Sequence, residues 1–112
     1  MTMNLRSVAL TAAAVSSIGT AQAFDAAAAK ALAAKSACLA CHAVDRKMVG
    51  PSYRTVAAKH QGQADALEKV AARIKSGGSG VYGPVPMPAQ PNLKDDELKL
   101  LAAWVLAGAP DK

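Results

Sequence analysis

The run Cys38-Leu39-Ala40-Cys41-His42 decides how the rest of the chain is read. Two thiols two residues apart can add to the two vinyl groups along one edge of a porphyrin, and the imidazole that follows directly falls beneath the iron as a proximal ligand. Cys-x-x-Cys-His is the attachment pattern of a c-type haem, so this pentapeptide names one covalent haem c and gives roles to Cys38, Cys41 and His42. Two other chemistries use paired cysteines. A redox dithiol wants a βαβ setting, which this sequence does not offer. Structural zinc usually takes four ligands, and the spare candidate is the isolated His60.

Covalent haem attachment also calls for an exported chain, and residues 1–23 have the form of a secretory signal peptide. Arg6 supplies the positive start, Val8 to Ile18 a short apolar run, and Ala21-Gln22-Ala23 a small-x-small cleavage signal. The run is broken by Thr11, Ser16, Ser17 and Gly19. It falls short of the roughly 20 apolar residues that a membrane span needs. Cleavage after Ala23 leaves one exported domain, 24–112, with no membrane anchor.

A domain of 89 residues has little core to spare. Its aromatics are Phe24, Tyr53, Tyr82 and Trp104, so a porphyrin would supply the large flat apolar surface that its side chains lack, at about 25 cal/mol per Å² covered. The whole chain holds 13 basic and 8 acidic side chains; with Arg6 in the leader, the remainder carries +4. That excess is mild and scattered, with no basic run and little aromatic interleaving, which argues against nucleic-acid binding.

The elements are all helical. Phe24 to Ala37 is Ala-rich, and Phe24, Ala28, Ala31 and Leu32 follow helical spacing, which predicts a first helix that delivers Cys38 at its C-terminal end. Ser52 to His60 predicts a short helix after Gly50-Pro51. Leu67, Val70, Ala71 and Ile74 make the i, i+3, i+4, i+7 stripe of another, stopped by Gly77-Gly78. Residues 76–92 hold four Gly and four Pro without helical period and read as a long functional loop. Asp95 to Ala107 is the last helix, with three acids in its first turn and Leu98, Leu101 and Val105 in one apolar row that Leu100 and Trp104 widen. No stretch alternates with period 2, and no repeat or second domain is visible, so the fold class is all-α.

The sixth position of the iron separates an electron carrier from a haem enzyme or gas-binding module. The chain offers Met48, His60 and Met87. Met87 stands in Gly83-Pro84-Val85-Pro86-Met87-Pro88, 45 residues after His42, in a loop made stiff by fixed-φ prolines. Met48 follows His42 by only six residues, a tight path around a ring, and reads better as packing. His60 reads as an exposed or capping residue. Gly50-Pro51 is the nearest stiff backbone that could accept the other ring N–H of His42, or else a plain turn. Arg73 and Tyr82 could meet the haem propionates, their alternatives being a solvated helix residue and a half-buried loop aromatic.

Taken together, several stretches resemble the class I bacterial cytochromes c of the c-551 (c8) group. They are Cys38 through Asp45, Lys47-Met48-Val49-Gly50-Pro51, Arg73-Ile74-Lys75, Gly80 through Pro88, and Asp95-Asp96-Glu97 through Trp104-Val105-Leu106. The resemblance implies four or five helices around one haem, with His42 and Met87 axial and the Pro51 carbonyl accepting from the His42 ring. It also implies a carrier in the periplasm that moves electrons from a cytochrome bc1-type donor to a nitrite reductase, a terminal oxidase or a peroxidase; with no other catalytic constellation in the chain, a non-enzymatic monomer is expected. Two features depart from the pattern. Tyr82 stands where the group usually has a Trp near a propionate, and 89–94 is about one residue longer than expected, which leaves open whether Gln90 or Asn92 approaches the Met87 sulfur.

Overall fold

A computed structural model describes Ala9, residues 11–14 and residues 24–112. Arg6 and Ala21-Gln22-Ala23, which carry the leader reading, lie outside the described residues. Four α-helices follow in chain order: α1 at Ala26–Lys35, α2 at Tyr53–Lys59, α3 at Ala66–Ser76 and α4 at Asp95–Leu106. A single 3-10 turn, Cys38–Ala40, sits between α1 and α2, and the described residues form no strand. Among them no helix is long and apolar enough to cross a membrane.

Three of the four helices, all but α3, begin where a side chain supplies a partner for a backbone N–H at the helix start. The Asp25 carboxylate accepts from the Ala28 N–H at 3.0 Å and starts α1 two residues later than the Ala-rich run suggests. Ser52 Oγ accepts from Thr55 N–H at 3.0 Å and caps α2. At α4 the Glu97 side chain reaches back to the Lys94 N–H at 3.0 Å. The expectation that α1 runs into the haem motif is corrected: the helix ends at Lys35, and Ala37 adopts a left-handed conformation with φ 61°. That one residue reverses the chain direction, so the cysteines sit on a tight turn beyond the helix.

The core lies between α4 and the other three helices. From α4 come Leu98, Leu101, Ala102, Trp104 and Val105; α3 adds Val70 and Ile74, and α2 adds Tyr53 and Val56. The α1 face is Ala26, Ala29 and Ala33, with Ala29 and Ala102 fully buried. Side chains this small let α1 and α4 approach closely and leave the bulkier residues of α2, α3 and α4 to face elsewhere. Trp104 is the largest fully buried side chain, and its indole N–H donates to the Pro110 carbonyl at 2.9 Å, which folds the C-terminal tail back onto α4. Ala102→Leu is therefore expected to destabilise the haem-loaded protein by about 1–3 kcal/mol through overpacking. An unchanged denaturation midpoint would mean that the α1–α4 contact is looser than described.

Candidate functional site

The haem-motif turn is tied to the start of α2 by backbone bonds. Cys41 and His42 both donate to the Cys38 carbonyl, at 3.2 and 3.0 Å, which holds the pentapeptide as one compact turn. Further on, Gly50 N–H donates to the Cys41 carbonyl at 2.8 Å, and the first two amides of α2, Tyr53 and Arg54, donate to Ala43 and Val44. Those helix amides have no partner within α2, so the chain just after His42 supplies it.

This weld places the imidazole. His42 Nδ1 lies 2.7 Å from the Pro51 carbonyl oxygen. A carbonyl can only accept, so Nδ1 carries the hydrogen and Nε2 keeps its lone pair for a metal. Tyr53 stacks on the ring with centroids 5.2 Å apart and an interplanar angle of 21°, and Trp104 meets Tyr53 edge-on at 5.2 Å. A Cβ on Gly50 would come within 2.8 Å of His42 Nδ1, so only glycine lets the backbone pass beside the imidazole. Burial pushes the Tyr53 phenol well above its ordinary range, which keeps it neutral against the ring.

His42 opens onto a cavity of about 720 Å³. That volume is within the roughly 300–1,000 Å³ typical of cofactor sites. Cys38, Cys41, Tyr53 and Val56 line it from one side of the sequence, Val70, Ile74, Leu101, Trp104 and Val105 from the helical core, and Gly78, Ser79 and Val81 through Pro88 from the long loop. Met48, Val49, Val81 and Val85 also line it yet remain exposed, by 39% to 58%, so the cavity has an apolar rim toward solvent.

The long loop is less irregular than its composition suggests. Gly78 and Met87 form an antiparallel bridge, each donating its N–H to the other's carbonyl at 3.0 and 2.9 Å. All three candidate sixth ligands line the cavity, but they are held differently. Met48 is exposed at the rim; His60 caps the end of α2 with Nδ1 3.1 Å from Gln63 Oε1; Met87 is half-buried with its backbone in the bridge. Gln90 bonds through its backbone N–H to the carbonyls of Ile74 and Lys75, and no hydrogen bond from its side chain or that of Asn92 reaches the Met87 sulfur among the described residues.

The donor set fits a haem. Paired thiols at the attachment spacing, an imidazole with Nε2 free and a largely apolar cavity stand together, and the Tyr82 hydroxyl is buried on that cavity without a hydrogen-bond partner. An orphaned phenol with the Arg73 guanidinium nearby suits a carboxylate such as a propionate, and burial raises the Tyr82 pKa against the opposing pull of Arg73. The competing chemistries fit less well. Burial pushes the Cys38 thiol up, whereas a redox dithiol needs it lowered. No group of three or more His, Cys, Asp or Glu among the described residues is placed to hold a zinc ion.

The sequence singles out Cys38, Cys41, His42, Met87, Arg73 and Tyr82, and all six line one cavity. Tyr53, the ring that stacks on His42, is not singled out. The available signal was an aromatic two residues after Pro51, at the first position of a helix that has to pass the imidazole.

The chain matches the family model for cytochrome c over residues 26–109. Cytochrome c-551 of Pseudomonas aeruginosa is 59% identical over 71 residues, which span 62% of this chain and 66% of that protein. Cytochrome c-552 of Hydrogenobacter thermophilus is 51% identical over 76 residues, 68% of this chain and 76% of that one. Among solved structures, Nitrosomonas europaea cytochrome c552 superposes with a TM-score of 0.68 at 44% identity, covering 70% of this chain and 98% of that chain. The class 1 cytochrome MtoD of Sideroxydans lithotrophicus gives 0.69 at 35% identity, covering 79% and 100%. With the attachment turn, the cavity and these likenesses in agreement, the chain belongs to the class I cytochromes c of the c-551 type, carriers of electrons on one covalent haem c.

Proposed function

We propose that the chain is a periplasmic one-electron carrier in which Cys38 and Cys41 hold the haem and His42 and Met87 are its two axial ligands. When bound, the haem supplies a one-electron iron couple whose potential is raised by a thioether in place of a second nitrogen. The observation that carries the reading is the contrast among the three candidates: Met48 is exposed at the rim, the His60 ring is engaged by the Gln63 side chain at the end of α2, and Met87 is half-buried in the cavity wall with its backbone held by Gly78. Pro86 and Pro88 fix φ on either side of it, so the thioether keeps its place when the oxidation state changes. His42 is held as firmly by Pro51 and Tyr53. Two fixed ligands mean little rearrangement per electron and no open position for bond-making, which supports a carrier with no catalytic residue.

The same reading makes residues 1–23 a cleaved signal peptide and 24–112 the working domain. We take the donor to be a cytochrome bc1-type complex and the acceptor a nitrite reductase, a terminal oxidase or a peroxidase, met by a monomer in the periplasm. The exposed rim of Met48, Val49, Val81 and Val85 is the surface through which electrons leave, with Lys47 beside it to steer acidic partners.

The ferric protein is expected to show the far-red absorption band that methionine sulfur gives to ferric haem, and Met87→Ala is expected to abolish it. A wild-type protein without that band that binds carbon monoxide rapidly when reduced would instead be an open-site haem module. Electron-transfer rate with an acidic partner is expected to fall as ionic strength rises, since screening sets in over about 10 Å at 0.1 M salt. Lys47→Glu is expected to lower the low-salt rate. A rate indifferent to salt and to Lys47 would assign docking to the apolar rim alone.

A further inference from the structure

We propose that Gly77 and Gly78 are positioning residues for the Met87 sulfur, fixing the axial loop to the end of α3. The proposal rests on Met87 as the sixth ligand. It explains what the prolines around Met87 leave unexplained, because fixed φ angles stiffen a loop without saying where in space it stands.

The end of α3 does say so. Gly77 caps the helix with φ 65° and its N–H donates to the Arg73 carbonyl at 2.7 Å. The next residue, Gly78 at φ 121°, exchanges both backbone hydrogen bonds with Met87. Met87 lies between two prolines that have no N–H, so within Pro86-Met87-Pro88 it holds the one amide able to bond, and that amide goes to Gly78. Three residues on, Gln90 N–H reaches the Ile74 and Lys75 carbonyls at 3.2 and 3.1 Å. Residues 87–90 thus lie across the C-terminal end of α3, and 79–86 form an excursion whose base is the Gly78–Met87 bridge.

Gly77 permits this close crossing. It is buried, and a Cβ there would come within 2.7 Å of Ala89 N and 2.8 Å of the Pro88 carbonyl carbon. These are backbone atoms, which cannot swing aside as a side chain can. Any larger residue at 77 lifts the segment that carries Met87. At Gly78 a Cβ would meet only Arg73 Nη1, at 2.7 Å, the far end of a flexible side chain. Gly62 supplies an internal comparison, since it shares the positive φ, 78°, but its Cβ would meet nothing within 4 Å.

The test uses the haem-loaded ferric protein and imidazole as a probe that competes with Met87 for the iron. Gly77→Ala is expected to bind imidazole about tenfold more tightly than wild type, the scale of one or two backbone hydrogen bonds, and to lose its far-red band well below its unfolding temperature. Gly62→Ala, which also places a side chain at a positive φ but in open space, is expected to stay within about twofold of wild type. Equal imidazole affinity and equal band stability in Gly77→Ala and Gly62→Ala would overturn the proposal. Should Gly77→Ala fail to yield haem-loaded protein, Gly78→Ala takes its place: Arg73 can swing aside there, but a side chain at φ 121° strains the backbone that bonds Met87, so roughly threefold tighter binding is expected and wild-type affinity overturns the idea. The ligand reading is checked apart from this: if the wild-type band is absent, or survives in Met87→Ala, that reading fails and the proposal with it. A wild-type band that Met87→Ala abolishes, together with a silent Gly77→Ala, overturns the positioning role alone.

Discussion

The hydrogen bond from His42 Nδ1 to the Pro51 carbonyl, 2.7 Å long, commits more of the chain than any other contact. It fixes the tautomer that leaves Nε2 as a ligand, and it draws the ten residues from the attachment turn to α2 into one closed unit. Gly50 is small because it passes beside the imidazole, and Ser52 caps α2 immediately after the accepting carbonyl. Tyr53 then lands on the ring, and Trp104 of α4 lands on Tyr53. A chain of contacts therefore runs from the His42 imidazole to Trp104, the largest fully buried side chain among the described residues, and on to the tail at Pro110. Ligand geometry and core packing are one structure here, which is how so small a domain holds an imidazole rigidly.

The methionine side is built on another logic. The Met87 backbone is held by the end of α3 and by prolines that remove the competing amides. The two proposed ligands thus belong to different anchoring systems, α2 with α4 for His42 and α3 for Met87. The packing of α3 against α4 joins those systems and sets the width of the cavity between them. For an electron carrier this arrangement is economical in motion. With the ligation proposed above, neither side would have to move when the iron changes charge.

Much of this was legible in the residues, and for identifiable reasons. Adjacent chemistry is local: Cys38, Cys41 and His42 are legible because attachment demands them at fixed spacing, and α3 and α4 because their apolar rows repeat at helical period. The end of α1 was misread because alanine carries no punctuation, and the break comes from Ala37 taking a left-handed conformation that its side chain does not advertise. The loop at 76–92 reads as irregular because its order consists of a few isolated backbone bonds, chief among them the bridge between residues nine apart, which leave no periodic trace. Tyr53 was passed over for a similar reason. Its stacking partner is set by the three-dimensional weld of Ala43 and Val44 to α2, and no spacing rule connects them.

The central claim is that Met87, and neither Met48 nor His60, stands opposite His42 at the iron. The most direct measurement is the proton NMR spectrum of the reduced, haem-loaded protein with its methionine methyl groups isotopically labelled, since a methyl held against a porphyrin face is moved far upfield by the ring current. The account requires one such methyl, absent from Met87→Ala and retained in Met48→Ala. A far-upfield methyl that survives in Met87→Ala, or no such methyl in the wild-type protein, would contradict it.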